Sequence, residues 1–188
     1  MASGVRHLRF RCTGCGNCCR DLRVPLTTAD LSRLVAATAL PARELVDWQP
    51  SAAIDLTGEP GSLVQLARGP SAMLLQHRDG ACRFLADDQR CSVYDARPAT
   101  CRLYPFDATF GARGGIRRLR LLGGTECDYA RDGHNDAHAL RAADASRWQE
   151  HVAYLEQVRR WNRLQRHRTR AGRTLQTGPD FLSFLGFA

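Results

Sequence analysis

Along the first half of the chain, apolar and polar positions change period every few residues, which predicts short elements rather than long ones. Val5–Arg11 alternates and is expected to form a short strand, and Leu22–Leu26 reads as a second extended piece. Thr28-Ala29-Asp30-Leu31 has the polar-to-apolar onset of a helix that runs to about Thr38. Pro41 suits the first turn of another short helix, Ala42–Trp48, and Gln49–Pro60 reads as a loop. Ser62–Ala67 and Ala72–His77 are extended runs. The latter leads through His77-Arg78-Asp79-Gly80 into Cys82–Leu85, a hairpin pattern with its turn at Asp79-Gly80. Cys91–Phe106 has no period and is expected to wrap irregularly. A flexible Gly111–Gly115 stretch then precedes a strand at Ile116–Leu122.

Beyond Asp136 the pattern becomes helical and predicts one long helix to about Arg168. Trp148, Val152, Leu155, Val158 and Leu164 fit a buried stripe. Arg159, Arg160, Arg163, Arg166, Arg168, Arg170 and Arg173, with Trp161 among them, then form its basic face, a candidate contact for nucleic-acid phosphates or an acidic partner. The apolar tail Phe181–Ala188 is expected to dock on the protein itself.

The chain has 188 residues, 44% of them apolar, so an ordinary hydrophobic core is available without cross-links. Its eight cysteines therefore need another explanation. All 27 basic residues are arginine, which removes any lysine nucleophile, Schiff base or Walker-type lysine from consideration. The opening MASGVRHLRF lacks the apolar run of a secretory signal, and no stretch approaches the roughly 20 apolar residues of a membrane span. A cytoplasmic protein without membrane contact is the expectation. In that reducing compartment, clustered cysteines point to metal before disulfides.

Cys12-Thr13-Gly14-Cys15-Gly16-Asn17-Cys18-Cys19 reads C-x2-C-x2-C-C. Two intervening residues let both thiolates of a pair reach one metal through a tight turn. Gly14 and Gly16 supply the positive φ that such turns need. Cys82, Cys91, Cys101 and Cys127 are scattered, which suits a site closed by long-range contacts. Cys12, Cys15, Cys18, Cys82, Cys91 and Cys101 are the leading ligand candidates, ahead of Cys19 and Cys127. If Cys18 and Cys19 are extended, they point to opposite sides, leaving one to serve a second metal or to stay unligated. Arg11, Arg20, Arg83, Arg90, Arg97 and Arg102 all lie near a cysteine and are candidates to screen thiolate charge. The architecture expected is α+β: a metal-centred domain of short strands and helices over residues 1–130, and a helical extension and tail over 131–188.

Three blocks carry a resemblance: Arg11-Cys12-x2-Cys15-Gly16-x-Cys18-Cys19, then Gly80-x-Cys82-x-Phe84-Leu85, then Cys91-Ser92-Val93-Tyr94-x2-Arg97-Pro98-x2-Cys101-Arg102-x-Tyr104-Pro105-Phe106. In that order they resemble the YkgJ family of CxxCxxCC cysteine-cluster proteins, named for zinc or iron chelation. The resemblance covers about residues 10–106 and implies a zinc or iron centre. A related cluster in flagellin lysine-N-methylases is associated with an iron–sulfur centre, so an iron–sulfur cluster is among the forms implied. The chain lacks the Gly-rich strand–loop–helix of a nucleotide or S-adenosylmethionine fold. Arg97-Pro98 fits a turn into Cys101, with Tyr94, Tyr104 and Phe106 placed to shield the site.

Two further signals are weaker. His77-Arg78-Asp79 echoes a kinase catalytic loop without its companion motifs and is read as the hairpin turn. His134 and His138 have the spacing of metal ligands on a shared helix face. The functional expectation is a metal-binding protein. Its alternatives are an iron-dependent redox or protein-modifying enzyme, which implies a protein or peptide partner, and a nucleic-acid-associated metal-binding module.

Overall fold

The computed structural model describes residues 9–54, 60–110, 116–121, 127 and 129–187. Five expected segments fall wholly or partly outside these: 5–8 of the first strand, 55–59 of the loop, the Gly111–Gly115 stretch, Leu122 of the following strand and Ala188 of the tail.

Among the described residues the architecture is α+β, built from small antiparallel sheets and five α-helices. The strands are β1 (Arg11–Cys12), β2 (Val46–Pro50), β3 (Val64–Leu66), β4 (Gly69–Leu75), β5 (His77–Arg78), β6 (Ala81–Cys82), β7 (Phe106–Phe110), β8 (Ile116–Leu121) and β9 (Tyr129–Ala130). The helices are α1 (Asn17–Asp21), α2 (Thr28–Thr38), α3 (Ala99–Leu103), α4 (Ala137–Arg170) and α5 (Gly178–Phe184).

The main sheet has the order β2-β4-β3, with Val46 opposite Leu75, Pro50 opposite Ser71 and Val64 opposite Ser71. Its central strand β4 is buried from Ser71 to Leu75, as expected of a strand covered on both faces. The extended segment before α2 lengthens one edge: Leu75 N–H donates to the Val24 carbonyl at 2.8 Å and Leu26 N–H to the Met73 carbonyl at 2.9 Å. The hairpin is as expected, with Asp79 and Gly80 both at positive φ (51° and 81°), the conformation of a two-residue I′ turn.

Two expectations are corrected here. Ala42–Trp48 is not a helix: only Ala42–Glu44 makes a 3-10 turn, and β2 starts at Val46. The pairing available along β4 outweighs the helical onset at Pro41, because an unpaired central strand would leave its backbone groups unsatisfied. The second correction concerns the face that α4 buries. Trp148 (56% exposed), Val152 and Leu164 are exposed, whereas Tyr154, Val158, Trp161 and Gln165 are buried. The buried set spans one 60° arc of the helix, and Trp161 sits in it rather than among the arginines. Its indole N–H donates to the Gln65 carbonyl at 2.9 Å, which satisfies the one polar group of the ring.

Tyr154, Val158 and Trp161 join Leu31, Leu34, Val64, Phe181 and Leu182 in one core. The apolar tail does dock, as the helix α5. Thr177 and Asp180 form its capping box, and Phe181 is fully buried against Trp161 and Trp48.

Candidate metal centre

Beside the main sheet the chain carries its cysteines on short pieces. Cys12 is on β1, Cys18 and Cys19 are on α1, Cys82 is on β6, Cys101 is on α3, and Cys15, Cys91 and Cys127 are on connecting segments. All eight carry reduced thiols. Gly14 (φ 77°) and Gly16 (φ 74°) turn the backbone through the left-handed region, as the spacing required. Cys18 and Cys19 are helical, not extended. The tight turn at Gly16 feeds straight into α1, and their side chains stay close enough to hydrogen-bond.

Around a cavity of about 360 Å³ stand Cys12, Cys18, Cys19, Cys82, Cys91 and Cys101. Within this set, Cys18, Cys82, Cys91 and Cys101 form a complete group: each lies in electrostatic reach of the other three. Burial pushes the Cys101 thiol up to about 12, with Cys82, Cys18 and Cys91 adding to the rise and Arg97 opposing it. Cys82 and Cys91 are raised mainly by burial. Cys18 is raised chiefly by its hydrogen bond with Cys19, then by burial. Cys82, Cys91 and Cys101 are also packed against the hydrophobic core.

A second gathering involves Cys12, which also lines the cavity, Cys15 and Cys127. Cys15 Sγ and Cys127 Sγ are 3.8 Å apart, and Cys12 lies in electrostatic reach of Cys127. Burial, then the Cys15 hydrogen bond, pushes the Cys127 thiol up to about 12. A local wrap brings Cys127 here from the far end of the sequence. Arg11 and Cys12 pair with Ala130 and Tyr129, and Asp132 binds Arg11 through two 2.9 Å hydrogen bonds. Asn135 donates to the Phe10 carbonyl at 2.7 Å. Gly133 lies so close to β1 that a Cβ there would fall 1.8 Å from the Phe10 carbonyl oxygen.

The donor set suits a thiophilic ion. Gly14 N–H donates to Cys12 Sγ at 3.4 Å. The Phe84 and Val93 N–H groups likewise donate to the thiols of Cys82 and Cys91, two residues before each. One local geometry thus recurs at three cysteines, and each such bond favours the thiolate. A tetrahedral ion with metal–sulfur bonds of about 2.3 Å holds two sulfurs about 3.8 Å apart, the separation found for Cys15 and Cys127. Among the described residues, however, no three histidine, cysteine or acidic side chains are already set to hold a single ion. A bound cation would reverse the upward pKa shifts, so loading releases protons.

Of the arginines near cysteines, Arg97 faces the four-thiol group. Its guanidinium lies 3.4 Å over the Tyr94 ring and donates to the Tyr94 carbonyl at 2.8 Å. Its charge lowers Cys18, Cys91 and Cys101. Arg90 lines the cavity and packs on Gly14, and Arg83 acts on Cys82 alone. Arg11 is paired with Asp132, Arg20 with Gln89, and Arg102 acts toward Glu150. Tyr94 and Tyr104 line the cavity; Phe106 does not, and packs edge-on to Phe10 at 5.3 Å. His134 and His138 are not on one helix face, because α4 begins only at Ala137, and neither lines the cavity.

Sequence reasoning missed Asp30, which is buried. Its carboxylate caps α2 by accepting from Thr27 N–H, pairs with Arg33 at 2.6 Å, and accepts from Ala99 N–H at 2.7 Å. That last bond ties the start of α3, two residues before Cys101, to the core. Arg33 continues the chain of contacts to Glu150 on α4 at 2.8 Å. The Thr27-x-x-Asp30 capping pattern was visible in the sequence; the third partner of the carboxylate was not.

A family model described as "CxxCxxCC: Putative zinc- or iron-chelating domain" matches residues 11–117, more than half of the chain. The chain belongs to the CxxCxxCC family. The matched region carries seven of the eight cysteines, all but Cys127. Metal binding is thereby supported in general terms, without a choice between zinc and iron. No curated protein and no solved structure matches the chain. Among the described residues, no helix is long and apolar enough to cross a membrane.

Proposed function

We propose that this CxxCxxCC protein holds its metal on two adjoining thiol groups. Cys18, Cys82, Cys91 and Cys101 form the principal centre, and Cys12, Cys15 and Cys127 form a second, with Cys19 at the junction. The observation that carries this reading is the mutual placement of the four thiols around one cavity, two of them receiving N–H···S bonds of the same local form. Arg97, and the burial of Cys101, support the same centre.

For the principal centre, an iron–sulfur cluster is favoured over a closed zinc site. Cys18, Cys82, Cys91 and Cys101 share a cavity of about 360 Å³. A cavity of that size has room for a polynuclear centre, in which the thiolates ligate different irons. The 3.8 Å pair of Cys15 and Cys127 suits a single shared ion instead. Reduced thiols of this number fit a reducing compartment such as the cytoplasm.

The test is elemental analysis and a visible spectrum on protein purified without oxygen, with Cys101→Ser and Cys15→Ser beside the parent. A brown parent with iron and acid-labile sulfide is expected. Cys101→Ser should lose the colour and Cys15→Ser should keep it. Colourless parent protein carrying only zinc would replace the cluster with zinc sites. Unchanged metal content in both variants would overturn the thiol assignment itself.

A further inference from the structure

The basic face of α4 is unrelated to the thiols. Arg159, Arg163, Arg166 and Arg170 follow one another at intervals of four, three and four residues, and all are exposed. At 100° per residue they fall within a 60° arc, in a straight row about 16 Å long. Between positions 159 and 170 that arc carries nothing but arginine. The opposite side of the helix is the buried face of Tyr154, Val158, Trp161 and Gln165, so the row is held rigidly outward.

Among the described residues, no ion pair neutralises these charges. From residue 157 to residue 179 the sequence has no acidic residue. Four uncompensated guanidinium groups in a row repel one another and gain most from a partner with regularly spaced anionic groups.

We infer that this row is a docking surface for the phosphate backbone of nucleic acid, gripped without regard to base sequence. Charge complementarity selects the occupant. A membrane surface is disfavoured, because the apolar face that such a helix would insert is already turned into the core. An acidic protein would want an aromatic or aliphatic anchor beside the arginines; between positions 159 and 170 the arc has none, and the exposed Trp148 and Val152 on the same arc lie about 16 and 10 Å before Arg159. Sequence-independence follows from the cleft of about 350 Å³ beside Arg166 and Arg170. Its amides are committed elsewhere. Gln165 bonds the Gln176 side chain and N–H at 3.0 Å each, and Asn162 bonds Gln65 N–H at 2.8 Å and the Leu63 carbonyl at 2.9 Å. Few groups remain there to read base edges.

The test measures binding of the full chain to fluorescently labelled 20-base-pair DNA duplexes of three unrelated sequences across a salt series. Four phosphate contacts predict a slope of log K against log salt near −3.6, or about a 100-fold loss of affinity between 50 and 200 mM salt. The three duplexes should bind within about twofold of one another. The variant R159Q/R163Q/R166Q/R170Q should lose nearly all binding, and Arg163→Gln alone should lessen the slope by about 0.9. Both should keep the parent's metal content and melting temperature, which separates this inference from the metal-binding reading. A control removes the same charge from exposed arginines elsewhere: R43Q/R68Q/R78Q/R141Q should bind as the parent does. Equal weakening in this control would reduce the effect to bulk charge and overturn the inference. So would capture by anionic phosphatidylserine vesicles with no binding to the duplexes.

Discussion

Two regions of this CxxCxxCC protein are held by different physics. The scaffold of α2, the β2-β4-β3 sheet, α4 and α5 buries Leu31, Leu34, Leu45, Val64, Leu74, Val158 and Phe181 completely. Its helices α2 and α5 begin with capping boxes. The thiol-bearing region has two-residue strands and two five-residue helices, α1 and α3, neither with a side-chain cap, and α1 buries no residue. Helices that short do not persist on local energetics. The scaffold therefore stands on apolar burial, while the thiol region relies on its edge contacts and on whatever joins the sulfurs.

Metal removal gives the largest expected effect. Thiolate-bound structural metals contribute on the order of 10 kcal/mol to folding of the segments that carry them. Hydrogen exchange on protein stripped of metal should show lost protection over residues 10–22 and 82–104, with β4, α2 and the second half of α4 still protected. Uniform loss of protection across both regions would erase the distinction.

Truncating the core tests the other side. Phe181→Ala should lower the stability of the stripped protein by about 3–5 kcal/mol in chemical denaturation. Metal content per folded molecule should hold. A smaller third effect belongs to the bridge between the regions. Asp30→Asn leaves Arg33 without its 2.6 Å carboxylate partner and weakens the bond to Ala99 N–H. A loss of about 2 kcal/mol is expected. If Cys101 is a ligand as proposed, the same variant should release metal more readily to a competing chelator, whereas Phe181→Ala should not.

The smallest effect comes from pH. Hydrogen bonding and charge from Arg33 hold the Glu150 carboxyl below its ordinary 4.5. A carboxyl lowered in the folded state adds stability that is complete above the unfolded value and disappears as pH falls through the folded one. For a partly solvated pair this amounts to about 0.5 kcal/mol. Melting of the parent and of Glu150→Gln should differ at pH 7 and converge below pH 4. A constant difference across that range would assign the effect to packing instead.

How far the sequence could be read depended on the range of the interactions. The Asp79-Gly80 turn, the onset of α2, the long helix α4 and the positive-φ glycines between Cys12 and Cys18 rest on neighbours a few residues apart, and each was legible. The segment after Pro41 was misread because its conformation is decided by β4, about 25 positions away in the chain. The buried face of α4 was misread in part: Val158 is buried as expected, but Trp148, Val152 and Leu164 are exposed, and only the position of α5 and β3 selects Trp161 instead.

The cysteine positions and their chemistry were determined by the sequence alone, since thiol spacing and flanking glycines act through local backbone geometry. The resemblance to the CxxCxxCC family rested on the same residues. Tertiary structure alone decided the partition of those thiols. Cys127 meets Cys15 because Gly133 lets the chain cross β1 at close range, and Cys101 meets Cys18 because Asp30 pins the start of α3. Both junctions join residues far apart in sequence, where periodicity carries no information and only packing chooses the partner.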